Sequence, residues 1–177
     1  MSVIRKLSIL MLVLLLPSCV GISTSNMEKT ENLEADEGVL LVRTIGEGNA
    51  SGKIFVHDVN GGGLQLGAVS LSIKSGEQVL LLKIKGNATY SLTRYATYGG
   101  GVDFGKEKFN FSITPGKINY IGDVTINQNN GLVRTNIADE EKTTLAKAKQ
   151  TAPWLFEKYA YKKALIKIAP GDEVVPY

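Results

Sequence analysis

Apolar and polar side chains alternate in short runs between residues 38 and 137, and this period of two predicts β-strands with one buried face. The clearest runs are VSLSIK at 69–74 and FNFSIT at 109–114. Further strands are predicted at 38–45, 53–59, 78–85, 88–97 and 118–126. Asn130 and Gly131 readily adopt positive φ, so they predict a tight turn that joins 118–126 to a strand at 132–137.

The pattern changes near Asp139, where short helices are predicted. Asp139 is a residue type that caps helices, and Glu140 and Glu141 suit a first helical turn. Pro153 is expected to begin a second short helix with WLFEKY, so the helical segment spans about 139–160, and ALIKIA at 164–169 predicts a final strand. Seven or eight strands without intervening helices predict a mainly β fold, an antiparallel β-sandwich, with a partly open barrel as the alternative.

The first nineteen residues have the pattern of an export signal. Arg5 and Lys6 precede an apolar run at 7–16, which is too short for a permanent membrane span and typical of a signal peptide. Leu16-Pro17-Ser18-Cys19 follows and resembles the bacterial lipobox. This resemblance implies a lipoprotein signal peptide at 1–18, cleavage before Cys19, and acyl chains on that residue that anchor the protein to a membrane. The alternatives are a secreted protein with a chance cysteine and an uncleaved N-terminal helix.

Residues 19–37 are predicted to be a lipidated cysteine and a flexible linker to the domain at 38–177. Residues 20–37 are rich in Ser, Thr, Asn, Glu and Lys, and they contain few apolar side chains. An unstructured chain of this length has an end-to-end distance of about 25 Å and an extended limit near 60 Å. Val20 is not aspartate, and in Gram-negative lipoproteins this implies the periplasmic face of the outer membrane.

Charge and cysteine content narrow the function classes. The chain of 177 residues has 20 Lys and Arg and 17 Asp and Glu, and removal of Arg5 and Lys6 with the signal leaves 18 against 17. No basic stripe with interleaved aromatic residues is present, so nucleic acid is not an expected partner. Cys19 is the only cysteine, which leaves no disulfide and no cysteine-based metal site in the domain. No metal or other cofactor is predicted, and Asp58 to Gly61 predict a turn rather than a calcium loop.

The stretch FNFSITPGKINYIGDVTI at 109–126 resembles the small prealbumin-like or carboxypeptidase-regulatory-like β-sandwich domains of bacterial envelope lipoproteins. The resemblance covers about residues 38–168. It rests on turn and core residues, so it implies a prealbumin-like or immunoglobulin-like fold and an envelope location. It implies no catalytic residue.

The sequence offers few candidate site residues. His57 is the only histidine, and we expect an ordinary strand histidine rather than a ligand-contacting group. The segment YATYGGGVDF at 95–104 places Tyr95, Tyr98 and Phe104 around a glycine-rich loop and offers a candidate binding surface. The favoured interpretation is that these aromatic side chains cover the end of the core and that the glycines make a turn.

Three functions follow from these observations. The first is a noncatalytic, membrane-tethered module that binds another envelope component, a protein, through a strand edge or the 95–104 loop. The second is a small-ligand or glycan module, which requires Tyr90, Tyr95, Tyr98 and Phe104 to converge. The third is a carboxylate-dependent hydrolase using residues such as Asp103, Glu107 and Asp123. The sequence leaves the oligomeric state open.

Overall fold

The computed structural model describes residues 26–61 and 69–169. The predictions made for the signal, the lipobox with Cys19, and the first part of the linker lie outside the described residues. Within them the chain forms eleven strands and two helices. The strands are β1 (Glu37–Gly48), β2 (Gly52–Asp58), β3 (Val69–Ile73), β4 (Gly76–Lys85), β5 (Ala88–Thr97), β6 (Gly100–Asp103), β7 (Phe109–Ile113), β8 (Lys117–Asn129), β9 (Leu132–Ala138), β10 (Ala160–Lys163) and β11 (Lys167–Ile168). The helices are α1 (Glu141–Thr151) and α2 (Pro153–Lys158).

The strands form two sheets, and the predicted β-sandwich is confirmed. Sheet 1 has the order β10-β8-β1-β4, and β9 also pairs with β8. Sheet 2 has the order β11-β7-β5-β2-β3, and β6 also pairs with β5. Pairings in sheet 2 are antiparallel, whereas β8 runs parallel to both β1 and β10 in sheet 1. Asn130 and Gly131 have φ values of 51° and 80°, which confirms the predicted turn between β8 and β9.

Two apolar cores hold three layers together. The larger core lies between the sheets, and the smaller one lies between sheet 1 and the two helices. Strand β1 contributes to both, because Leu40 and Val42 belong to the first core and Val39 and Leu41 to the second. Alternate side chains of a strand point to opposite faces, so a strand between two cores needs a continuous apolar run.

The C-terminal part differs from the prediction in two places. Asp139 does not cap α1, since the N-cap position is Glu140 without a side-chain bond, and Asp139 instead pairs with Lys163 at 2.5 Å. The final strand is shorter than 164–169, because only Lys167–Ile168 pairs with β7. Ala160–Lys163 forms the additional strand β10, which the sequence pattern missed because its pairing partner β8 lies far away in sequence. The predicted start of α2 at Pro153 is confirmed.

The structure also corrects the predicted linker. From Asn26 onward the chain packs on the domain, and Met27 is only 7% exposed in the core beneath the helices. The Met27 N–H donates to Leu81 O at 2.8 Å, and the Leu33 N–H donates to the Tyr159 hydroxyl at 3.1 Å. We call residues 26–36 the docked segment. Its low apolar content predicted disorder, but two apolar side chains and a few backbone bonds suffice because β4 offers a free edge.

Candidate functional site

The 95–104 segment does not form the predicted aromatic surface. Tyr95 is fully buried between the sheets, and its hydroxyl donates to Gln128 Oε1 at 2.9 Å and accepts from the Ser51 N–H at 3.1 Å. Tyr98 is fully exposed at the turn between β5 and β6. Phe104 packs edge-on against Phe109 with ring centroids 5.5 Å apart. The three predicted site residues therefore have three different environments, and Tyr95 is unable to contact a partner.

The aromatic site required for the second hypothesis does not form either. Tyr90 is buried and stacks on Phe111, with ring centroids 5.9 Å apart, and its hydroxyl donates to Lys85 O at 2.9 Å. Burial raises the pKa of Tyr90 to about 12, and the charge of Asp58 adds to this increase. Tyr90 is therefore a core residue rather than part of a concave surface.

Two carboxylates of the hydrolase hypothesis, Asp103 and Asp123, lie in different sheets. Asp123 lies in β8 of sheet 1 and is 1% exposed, whereas Asp103 lies at the end of β6 in sheet 2. Asp103 accepts the Gly105 N–H at 2.8 Å, as in an ordinary turn. His57 places Nδ1 2.6 Å from Thr93 Oγ1 on the neighbouring strand. In the part of the chain that the structure describes, no group of three His, Cys, Asp or Glu side chains is arranged to hold a metal ion.

A bulge in β8 explains the position of Asp123. Leu41 pairs with Tyr120 and Arg43 with Asp123, so β8 has one more residue than β1 in this interval. Gly122 has a φ of 108°, which favours glycine. In a regular strand, residues three apart face opposite sides, but the bulge turns Tyr120 and Asp123 to the same side. The YIGD sequence therefore encodes the bulge.

Asp123 is fully engaged with neighbouring donors. Its Oδ1 accepts the Tyr120 hydroxyl at 3.1 Å and the Thr144 hydroxyl of α1 at 2.7 Å. Its Oδ2 accepts Nε of Arg43 at 2.7 Å, and Arg43 also pairs with Glu77 at 3.1 Å. Burial, with the adjacent Asp123 charge, raises the pKa of Tyr120 above its ordinary value. This network fastens α1 to sheet 1, and its saturated carboxylate is poorly suited to proton transfer.

A cleft of about 700 Å³ lies between β7 and the segment that joins β10 to β11. It opens because this segment crosses from one sheet to the other. The Ala164 N–H donates to Tyr120 O at 2.8 Å and the Ile166 N–H donates to Ile121 O at 2.9 Å, both in sheet 1. Only afterwards does the chain pair with β7, where Lys167 lies opposite Asn110. The two segments therefore diverge beside Ser112.

An open strand edge faces this cleft. The Ala169 N–H donates to Lys108 O at 3.1 Å, which shows that Lys108 directs its carbonyl towards β11. In an antiparallel ladder every second residue directs its backbone groups to the same neighbour. The backbone N–H and C=O of Ser112 therefore point towards the cleft, where its partner in register would be Leu165. Leu165 lies instead in the segment bonded to sheet 1.

The cleft is cationic at its rim. Lys162, Lys163 and Lys167 line it, and Lys163 pairs with Asp139 at 2.5 Å and Glu141 at 2.8 Å. The Lys162 ammonium donates to the Thr114 hydroxyl at 2.7 Å, and among residues 26–61 and 69–169 neither Lys162 nor Lys167 has an acidic partner. Two cationic side chains are thus available to an incoming group.

The floor of the cleft is polar and incompletely bonded. Asn110 Oδ1 is buried without a hydrogen-bond partner among the described residues. Thr89 and Ser112 place their hydroxyl oxygens 3.4 Å apart. Buried polar atoms are nearly always bonded, so an orphaned acceptor is unusual and marks this strand edge as incompletely satisfied.

Sequence reasoning missed the cleft because its lining comes from β5, β7 and the β10–β11 segment. None of these segments has a local motif. The lysines of KKALIK at 162–167 are visible in the sequence, but their position at a cleft is not. No helix of the described ranges is long and apolar enough to cross a membrane.

Comparison with protein-family models, curated proteins and solved structures found no match. The resemblances to a lipobox and to prealbumin-like domains remain predictions.

Proposed function

We propose that this protein is a noncatalytic lipoprotein of the bacterial envelope that is anchored through Cys19 and binds another envelope protein in the cleft. The open edge of β7 beside Ser112 is the single observation that carries the binding part of the proposal. The anchoring part rests on the sequence at 16–19, and Val20 favours the periplasmic face of the outer membrane.

An extended acidic segment is the partner chemistry that suits this cleft. A free strand edge binds an extended chain through backbone hydrogen bonds, which give affinity without a deep side-chain pocket. Lys162 and Lys167 flank the edge, and charge pairs of this kind orient a partner and speed its association. Of the two surfaces expected from the sequence, the strand edge is therefore favoured over the 95–104 loop.

Site-specific crosslinking in the native host tests the proposal. A photoreactive p-benzoyl-phenylalanine at Lys162 or Lys167 is expected to give a discrete protein adduct, whereas the same probe at exposed Lys53 on β2 gives none. The variant Ser112→Pro removes the backbone N–H that points into the cleft and should abolish the adduct. Ser112→Ala keeps that N–H and should retain it. Equal labelling from Lys53, or an adduct that survives Ser112→Pro, would contradict the proposal.

The size of the cleft favours small-molecule binding as the second candidate. A volume of about 700 Å³ falls within the range of ordinary ligand sites, roughly 300–1,000 Å³. Native mass spectrometry of the protein purified from its host would then show a bound small molecule, with a mass increment that is lost in Ser112→Trp and kept in Ser112→Ala. A spectrum of the bare protein alone speaks against this candidate.

A further inference from the structure

We infer that the β4 edge of sheet 1 lies next to the membrane and that the cleft faces away from it. The inference rests on the proposed lipid anchor at Cys19 and specifies how that anchor presents the binding site. Its partner surface is the lipid headgroup layer.

The docked segment begins at a fixed point on β4. The Asn26 side chain accepts the Leu81 N–H at 2.9 Å and donates to Val79 O at 3.3 Å. The Met27 N–H then donates to Leu81 O at 2.8 Å, while the Met27 side chain is buried with Leu155 and Ala148. Strand β1 occupies the other side of β4, so these bonds use the outer edge of the sheet.

Only six residues separate Cys19 from this point. Seven Cα-to-Cα steps span at most about 25 Å, whatever conformation residues 20–25 adopt. A domain of this size has a diameter of about 35–40 Å, so half of its circumference is about 60 Å. The link is therefore too short to pass around the domain, and it keeps the β4 edge within about 25 Å of the bilayer.

The cleft lies at that opposite edge. Sheet 1 has the order β10-β8-β1-β4, so β10 and β4 are its two ends along this path, and Lys162 and Lys163 of β10 line the cleft. Three strand spacings separate β10 from β4, which amounts to about 14 Å before the side chains are counted. An anchor at β4 therefore directs the cleft towards the space beyond the membrane, where a partner protein reaches it.

The lysines at the β4 edge contribute little attraction to a charged membrane, because acidic residues pair with them. Lys85 pairs with Asp36 at 2.7 Å and Lys83 pairs with Glu37 at 3.7 Å, so the lysines of this edge are matched by acids of the docked segment and β1. Lys162 and Lys167 at the cleft have no acidic partner among the described residues, so attraction to anionic lipid would favour the opposite orientation. The short acyl-anchored link must outweigh this attraction, and the orientation should therefore depend on the length of the link.

Fluorescence quenching on vesicles tests the orientation with a matched pair of labels. The lipidated full chain has no other cysteine, so Lys83→Cys on β4 and Lys162→Cys on β10 each introduce one thiol for a bimane label. The proteins are reconstituted into phosphatidylethanolamine–phosphatidylglycerol vesicles that contain a lipid with a nitroxide on its headgroup. We expect the label at 83 to be quenched several-fold more strongly than the label at 162.

A length variant completes the test. Inserting twelve Gly and Ser residues between Ser25 and Asn26 leaves the described contacts intact and should make the quenching at the two positions nearly equal. In the chain without the insertion, equal quenching at the two positions, or stronger quenching at 162, overturns the proposed orientation but not the proposed anchor. A chain that does not float with the vesicles overturns the anchor at Cys19, and the orientation falls with it.

Discussion

At the scale of single residues, the Asp123 carboxylate links two strands and a helix. It joins β8 to β1 through Arg43 and to α1 through Thr144. A buried charge is tolerated only when it is paired and hydrogen-bonded, and both carboxylate oxygens of Asp123 meet that condition. Its role is therefore to fix the helical layer on sheet 1.

Asp123→Asn should destabilise the fold by about 3–5 kcal/mol, because it leaves the Arg43 guanidinium buried with Glu77 as its remaining acidic partner. Urea denaturation of the two proteins measures this difference in the free energy of unfolding. Glu157→Gln at an exposed position of α2 is the control and should change it by less than about 0.5 kcal/mol. Equal stability of Asp123→Asn and the unmodified protein would show that the network contributes nothing.

The buried tyrosines predict a loss of stability in alkali. Burial raises the pKa of Tyr90 to about 12 and also raises the pKa values of Tyr95, Tyr120 and Tyr161. Below about pH 10 these groups are protonated in both the folded and unfolded states, so they add no pH dependence. Above it the unfolded chain releases protons that the folded chain retains, and the free energy of unfolding falls.

Urea denaturation between pH 9 and pH 12 should therefore show a free energy of unfolding that is level up to about pH 10 and declines above it. Tyr90→Phe has no ionisable group at this position, so its free energy of unfolding should fall less steeply with pH, although the variant loses the hydrogen bond to Lys85 O. Exposed Tyr98→Phe is the control and should keep the slope of the unmodified protein. If the free energy of unfolding fell equally steeply with pH in all three proteins, Tyr90 would not contribute to the alkaline loss of stability.

At the scale of elements, the alternating pattern of residues 38–137 predicted the strands that bury one face or two. It missed β6, which has no buried residue and lies where a glycine-rich loop was expected. The pattern did not reveal β10, because its AYKK sequence has no buried face. It did not reveal the docking of Met27 either, because a single apolar residue forms no repeating pattern. Pairing with distant segments determines both. The cleft was unpredictable for the same reason, and Tyr95 was misassigned because alternation alone does not say which face meets the second sheet.

The bulge of β8 gives a prediction at this scale. Gly122→Ala should cost about 1–3 kcal/mol, because a φ of 108° is strained for any residue with a Cβ and the added atom would lie 3.2 Å from Ala138 O. Gly99→Ala is the matched control, as its Cβ meets nothing within 4 Å. Thermal unfolding compares them, and equal melting temperatures would mean that β8 rearranges without cost.

At the scale of the whole molecule, the proposed function assigns different tasks to the two edges of sheet 1. The docked segment at the β4 edge would receive the link from Cys19, and the cleft at the far edge is left open by the crossing from β10 to β11. The net charge fits this proposed division. Removal of residues 1–18, which the lipobox resemblance implies, would leave 18 basic and 17 acidic residues and a net charge of about +1, so electrostatic attraction would contribute little to membrane binding.

Membrane attachment should accordingly depend on acyl chains rather than on charge. Each buried CH₂ contributes about 0.8 kcal/mol, so two or more chains hold the protein firmly, whereas charge pairs weaken as salt screens them. Membranes washed in high salt should retain the protein, and detergent should release it. Cys19→Ala should appear in the soluble fraction, while Lys85→Ala, which removes a surface charge at the β4 edge, should stay on the membrane. Release of the unmodified protein by salt, or retention of Cys19→Ala on washed membranes, would instead assign the attachment to surface contacts or to an uncleaved N-terminal helix.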